Sequence, residues 1–128
     1  FEHLERLALQ SMSLPLWPGP VVPIVAARAD ARSSCARSTT DGLEIRLAAP
    51  QWTPVTLTHE LAHVLAGLTA GHGAGFRRAH VDIVTSVLGT EAGRWLLDAY
   101  VAHGLPLPRA ERVAEPMPAP RVDGPIAL

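Results

Sequence analysis

Thr53-Pro54-Val55-Thr56-Leu57-Thr58-His59-Glu60-Leu61-Ala62-His63-Val64-Leu65-Ala66-Gly67-Leu68 is the most informative stretch of this chain. Thr53 has the side chain of a helix N-cap, and Pro54 suits the first helical position, where a missing N–H costs nothing. The pattern predicts a helix over about 54–68, with Val55, Leu61, Val64, Leu65 and Leu68 as its apolar surface. Residues four apart lie one above the other on a helix, so His59 and His63 can direct two imidazole nitrogens at one cation. Glu60 falls beside that position rather than on it. A carboxylate there can take a proton from a water made acidic by the metal and return it to a leaving amine.

Working outward, Leu43-Glu44-Ile45-Arg46-Leu47 alternates apolar and charged residues, the period of a strand buried on one face. Asp41-Gly42 before it is a turn signal, Val21 to Ala26 reads as a short strand, and part of 33–37 can pair as another. Leu4, Leu7 and Leu9 suggest a short helix within 1–12, and Pro15, Pro18, Pro20 and Pro23 force an extended, turning segment after it. Past the metal-motif helix, Gly67, Gly71, Gly73 and Gly75 mark a break. A helix over about 74–88 follows, with Phe76, His80, Ile83, Val84 and Val87 on one face. Thr90 is placed to cap a third main helix lined by Trp95, Leu96, Ala99 and Tyr100, which ends at Gly104 and Pro106. The elements imply an α+β fold: two or three antiparallel strands packed on about three main helices, the metal-motif helix at the centre. Residues 1–105 form a single domain on this reading. Residues 106–128 hold six of the twelve prolines and read as an extended or disordered tail, with one helical turn near Ala110 to Ala114.

A catalytic zinc site needs a third protein ligand and an open position. His72, nine residues after His63 in the glycine-rich break, is the favoured candidate because the chain can turn back there. His80 shares the Phe76 face, where a histidine more often supports a site through a hydrogen bond, and it is the alternative ligand. Asp82 falls off that face and should point away.

The order His59-Glu60-Leu61-Ala62-His63, then His72-Gly73-Ala74-Gly75-Phe76-Arg77, resembles the minimal zinc metallopeptidases of the SprT-like kind. In that group HExxH is followed by a His-Gly-x-x-aromatic element. Small actinobacterial proteins classed as zinc metallohydrolases are similar over about Leu43 to Leu105. Their matching stretches are Ile45-Arg46-Leu47, His59 to His63, His72 to Arg77, and Leu88-Gly89-Thr90-Glu91-Ala92 through Tyr100 and His103-Gly104. The resemblance implies a zincin-like fold, His59, His63 and His72 on one zinc ion per chain, and Glu60 in catalysis. It implies no substrate. The metzincin pattern does not apply, since its next histidine would fall at Thr69.

The expected function is therefore zinc-dependent hydrolysis of amide bonds in a peptide or protein. The rival is a non-catalytic accessory or interaction module whose zinc only holds the fold, closed by a fourth ligand such as His80. Bulk properties narrow the field further. A net charge of −1 and 18% charged residues give no broad electrostatic grip on nucleic acid or an acidic membrane. That charge, and the lack of a cysteine set for a zinc ribbon, argue against DNA–protein repair. No apolar run approaches the ~20 residues that span a bilayer. Cys35, the one cysteine, cannot form an internal disulfide and reads as a buried or idle thiol. A reducing, cytoplasmic setting is expected, although a start at Phe1 leaves room for a preceding segment. Trp17, Trp52 and Trp95 read as core or core-edge residues, Arg77 as an exposed helix arginine, Tyr100 as core, and His103 as a partner of a helix C-terminus. The strand over 43–47 is a possible edge on which an extended substrate could pair.

Overall fold

A computed structural model describes residues 1–108, so the tail from Arg109 onward, including the helical turn expected near Ala110, lies outside the described residues. Among the described residues the chain forms α1 (Glu2–Ser11), β1 (Ile24–Ala26), β2 (Cys35–Thr39), β3 (Gly42–Leu47), α2 (Pro54–Ala66), α3 (Ala74–Leu88) and α4 (Thr90–Ala102). Single 3-10 turns stand at Ala49–Gln51 and Leu68–Ala70. The architecture is α+β, with the helix count raised to four by α1.

The sheet order is β1-β3-β2. β2 and β3 form an antiparallel hairpin with Thr39 opposite Gly42, and Thr39 Oγ1 donates to the Gly42 carbonyl at 2.8 Å. β1 runs parallel to β3, with Ile24 opposite Ile45 and Ala26 opposite Leu47. The sheet is therefore mixed, which corrects the antiparallel expectation. The alternation of Leu43 to Leu47 is realised at Ile45 and Leu47, both fully buried, while Leu43 stays partly exposed. β3 is also the central strand rather than an edge, so its backbone groups are engaged on both sides. An extended peptide has no free ladder there, which overturns that expectation for 43–47; the outer strands are β1 and β2.

α2 lies at the centre as expected. Its buried Leu57 and Leu61 join Ile45 and Leu47 of β3, Leu4 and Ala8 of α1, Met12, Trp17, Val22 and Ile83 of α3 in one core. Burial of such side chains stabilises by about 1.5–3 kcal/mol each before the entropy cost of ordering them. Leu57 was not among the apolar positions expected to face inward, and Val55, which was, points into solvent. Thr53 caps α2 as its sequence implies, its Oγ1 accepting from Thr56 N at 3.1 Å. The expected cap Thr90 is instead inside α4, and Gly89, with φ 109°, takes the N-cap position without a side-chain cap. Trp52 is partly exposed, resting on Phe1 and donating Nε1–H to the Leu47 carbonyl at 3.0 Å. Trp95 is exposed rather than core, and Cys35 is exposed rather than buried. His3 is an exposed residue of α1. Among the described residues no helix is long and apolar enough to cross a membrane.

α3 and α4 approach at Gly93, where a Cβ would come within 1.8 Å of Thr85 Oγ1 and 3.0 Å of Thr85 Cα. Rotating Thr85 cannot relieve the backbone contact. Gly93→Ala would gain up to ~1 kcal/mol of helix propensity but incur ~1–3 kcal/mol of overpacking. We expect a net loss, read as a fall of several degrees in Tm by thermal denaturation; an unchanged or higher Tm contradicts the close packing.

Candidate metal centre

α2 presents His59 and His63 one turn apart, their ring centroids 4.8 Å from each other. The chain then has to reverse so that His72 returns to the same point. Two glycines make this possible: Gly67 (φ 98°) ends α2, and Gly71 (φ 58°) turns the chain one residue before His72. Both conformations are costly for a residue with a Cβ. The His72 ring lies 4.7 Å from that of His63 and 5.3 Å from that of His59. One ligand atom from each of His59, His63 and His72 falls within 4.8 Å of the others. His63 Nε2 and His72 Nε2 are 3.2 Å apart. Two nitrogens on a tetrahedral zinc at about 2.0–2.1 Å would be separated by about 3.3–3.4 Å, so this pair already has nearly the spacing the ion requires.

Phe76 forms the floor. It is 1% exposed, and its ring lies 4.3 Å from that of His63, 4.8 Å from His72 and 5.2 Å from His59. An apolar floor limits rotation of the imidazoles. Burial, followed by the neighbouring His59, pushes the His63 pKa below its ordinary value. Neutral imidazole is the form that offers a lone pair to a metal.

Glu60 is 6% exposed. Among the described residues its side-chain partner is His59 Nδ1, at 3.3 Å from Oε2. Burying a carboxylate with one long hydrogen bond is costly for stability alone, which marks Glu60 beside the histidines as a candidate functional group. An Nδ1–H directed at Glu60 also leaves the His59 Nε2 lone pair free for an ion. His59 and Glu60 open into a hollow of 380 Å³, also lined by Ser34 and Gln51. Gln51 Oε1 accepts from Ser34 N at 2.7 Å and from Ser34 Oγ at 2.8 Å, tying the approach to β2 to the turn before α2. Neither residue carried a sequence signal, since only the folded chain brings them to the motif.

The remaining candidates separate clearly. His80 stands outside the group of three, although its ring is 5.5 Å from that of His59. Its Nδ1 is 2.8 Å from the Tyr100 hydroxyl, and burial is the main cause of its pKa falling to about 4. The Tyr100 pKa is raised by burial, so the two form a neutral hydrogen-bonded pair. Asp82 points away as expected and is bound by Arg78, with Nη2 2.6 Å from Oδ1. His103 Nδ1 meets the Ala99 carbonyl at 2.8 Å near the end of α4, where a helix-terminus role was expected.

Arg77 departs from the expected exposed helix arginine. Its Nη1 donates to the His72 carbonyl at 3.0 Å, and its Nη2 donates to the Pro106 carbonyl at 3.0 Å. The guanidinium thus pins the loop that carries His72 to the segment after α4. Residues that orient metal ligands typically carry 10–100-fold in affinity. If the three histidines hold zinc, Arg77→Ala should weaken its binding by about tenfold in competition with a chelating dye, while leaving the Tm of the metal-free chain nearly unchanged. Undiminished zinc affinity would remove Arg77 from the site.

Comparison with protein-family models, with curated proteins and with solved structures gives no match to this chain.

Proposed function

We propose that this chain is a zinc-dependent hydrolase with a zincin-like fold, acting as a metallopeptidase on amide bonds of a peptide or protein. The observation that carries the reading is the convergence of His59, His63 and His72 beside the buried carboxylate of Glu60. Three imidazoles suit zinc among the biologically common ions and leave one coordination position free. Zinc held there supplies a lowered water pKa and polarisation of the substrate carbonyl. The chain's own part begins at Glu60, whose carboxylate accepts a proton from the attacking water. It then delivers that proton to the leaving nitrogen as the C–N bond breaks. The hydrogen bond to His59 holds the carboxylate near the ligand set throughout. Gly67 and Gly71 set the path of the His72 loop, and Arg77 anchors it.

The non-catalytic alternative needs a fourth protein ligand. His80 is the residue suited to that role, but its ring nitrogens stand outside the group in which His59, His63 and His72 converge, which favours an open fourth position. Cobalt substitution distinguishes the two readings. A site with three imidazoles and solvent should change its visible spectrum with pH or on adding a hydroxamate. A closed four-histidine site should respond to neither, and that result would reject the hydrolase reading.

A further inference from the structure

An apolar cavity of 550 Å³ lies between α2, α3 and α4. Val55, Val84, Leu88, Ala92, Trp95 and Leu96 supply its apolar walls. Trp95 is 74% exposed and Val55 67%. Single apolar residues on a surface are ordinary. A tryptophan, a valine and a leucine gathered around one hollow are the kind of surface that a ligand covers.

The cavity adjoins the candidate centre. Val55 and His80 line both it and the hollow that contains His59 and Glu60. A chain whose backbone crosses the Glu60 carboxylate can therefore place a neighbouring side chain between Val55 and Trp95.

Two polar groups of the wall are already engaged within the protein. The Thr58 hydroxyl already donates to the Val55 carbonyl at 2.9 Å, and His80 Nδ1 is engaged with Tyr100. Glu91 places a carboxylate on the wall, which disfavours an acidic guest by like-charge repulsion. The volume lies within the roughly 300–1,000 Å³ range of ligand pockets. It suits one large side chain better than a helix, which is about 10–12 Å across with its side chains.

We propose that this cavity is a specificity subsite that receives one long apolar side chain of the substrate, such as Phe, Leu or Met, adjacent to the bond cleaved at Glu60. The assignment of the guest to a substrate rests on the hydrolase reading above; the chemistry of the pocket does not.

The test uses the full chain and two readouts. Tryptophan fluorescence is followed while N-acetyl-phenylalanine amide, N-acetyl-leucine amide, N-acetyl-glycine amide or N-acetyl-aspartate amide is added. The phenylalanine and leucine amides should give a saturable blue shift, in wild type and Glu60→Gln alike, as they cover Trp95. The glycine and aspartate amides should not, and Trp95→Phe should abolish the response. In a peptide library, one position next to the cleaved bond should prefer Phe, Leu or Met over Gly or Asp by about 100-fold in kcat/KM. Ala92→Phe, which fills the cavity, should reduce that preference below about tenfold. Because Ala92→Phe could disturb the α3–α4 contact, Trp95→Ala on the exposed wall serves as the second variant and should weaken the same preference. A saturable shift without cleavage of any peptide supports the apolar pocket but removes the hydrolase reading and, with it, the assignment of the guest to a substrate. Cleavage without apolar preference, or no shift with any amide, overturns the proposal. So does a concentration-dependent dimer that Trp95→Ala dissolves, since the face would then belong to a second copy.

Discussion

Glu60→Gln should retain one zinc per chain and lose about 10²–10⁴-fold in kcat, the usual contribution of a positioned general base. The substitution keeps the shape of the side chain and removes only its capacity to accept a proton. Glu60 belongs to none of the three ligand positions, so metal content should not change. The side chain is buried beside His59 Nδ1, and a neutral amide can still accept that hydrogen bond. Thermal stability should therefore remain close to that of the wild type, or rise slightly as a buried charge is removed. Atomic absorption on dialysed protein, together with single-turnover cleavage, measures both quantities. Loss of zinc in Glu60→Gln would place Glu60 on the metal, and unchanged kcat would remove it from the chemistry.

The second large effect concerns the ligands. Apparent zinc binding energies of about 10–16 kcal/mol, shared over three or four donors, correspond to roughly 2.5–5 kcal/mol per donor, or about 10²–10⁴-fold in affinity. His63→Ala should incur this loss, at least about an order of magnitude more than Arg77→Ala, which disturbs only the loop behind His72. His72→Ala should also lower occupancy, and full zinc with full activity in that variant would remove His72 from the ligand set. Zinc at 100 times its Kd should stabilise the wild type by about 2.7 kcal/mol and the His63→Ala chain hardly at all. The metal-free forms should unfold at similar temperatures, because His63 is only half-buried and packs on Phe76 at the margin of the core. Calorimetry with and without zinc reads this difference. An equal zinc-dependent rise in both proteins would show that the ion binds elsewhere.

What could be read from the residues follows from how local each signal is. The start of α2 and the span of α3 were legible because Thr53, Pro54, the Gly67-to-Gly75 break and the Phe76 periodicity act within one or two turns. The histidine pair was legible for the same reason, since helical geometry alone aligns positions four apart. The return of His72 depended on glycines whose positive φ could be anticipated only as a break, yet the structure brings His72 to the pair. Pairing across longer stretches was not legible. Nothing in Ile24 to Ala26 records that it runs parallel to β3, or that β3 would take the middle of the sheet.

Exposure was misjudged wherever an apolar residue had two faces to choose between. Val55 was expected on the apolar surface of α2 and Trp95 in the core or at its edge, and both instead border the open cavity beside the centre. Arg77 was missed because its acceptors are backbone carbonyls of His72 and Pro106, which leave no imprint in residue type. Cap chemistry failed once, at Thr90, where Gly89 with its positive φ made the turn that a side-chain cap was expected to mark.

On the proposed function, His59, His63 and His72 hold a zinc at which Glu60 drives amide hydrolysis. The most direct test incubates zinc-loaded wild type and zinc-loaded Glu60→Gln with the same peptide library and identifies products by mass spectrometry. Cleavage by the wild type, none above background by Glu60→Gln, and one zinc per chain in both are the results expected of that function. No cleavage of any library member by the zinc-loaded wild type, or equal cleavage by the two proteins, would contradict it.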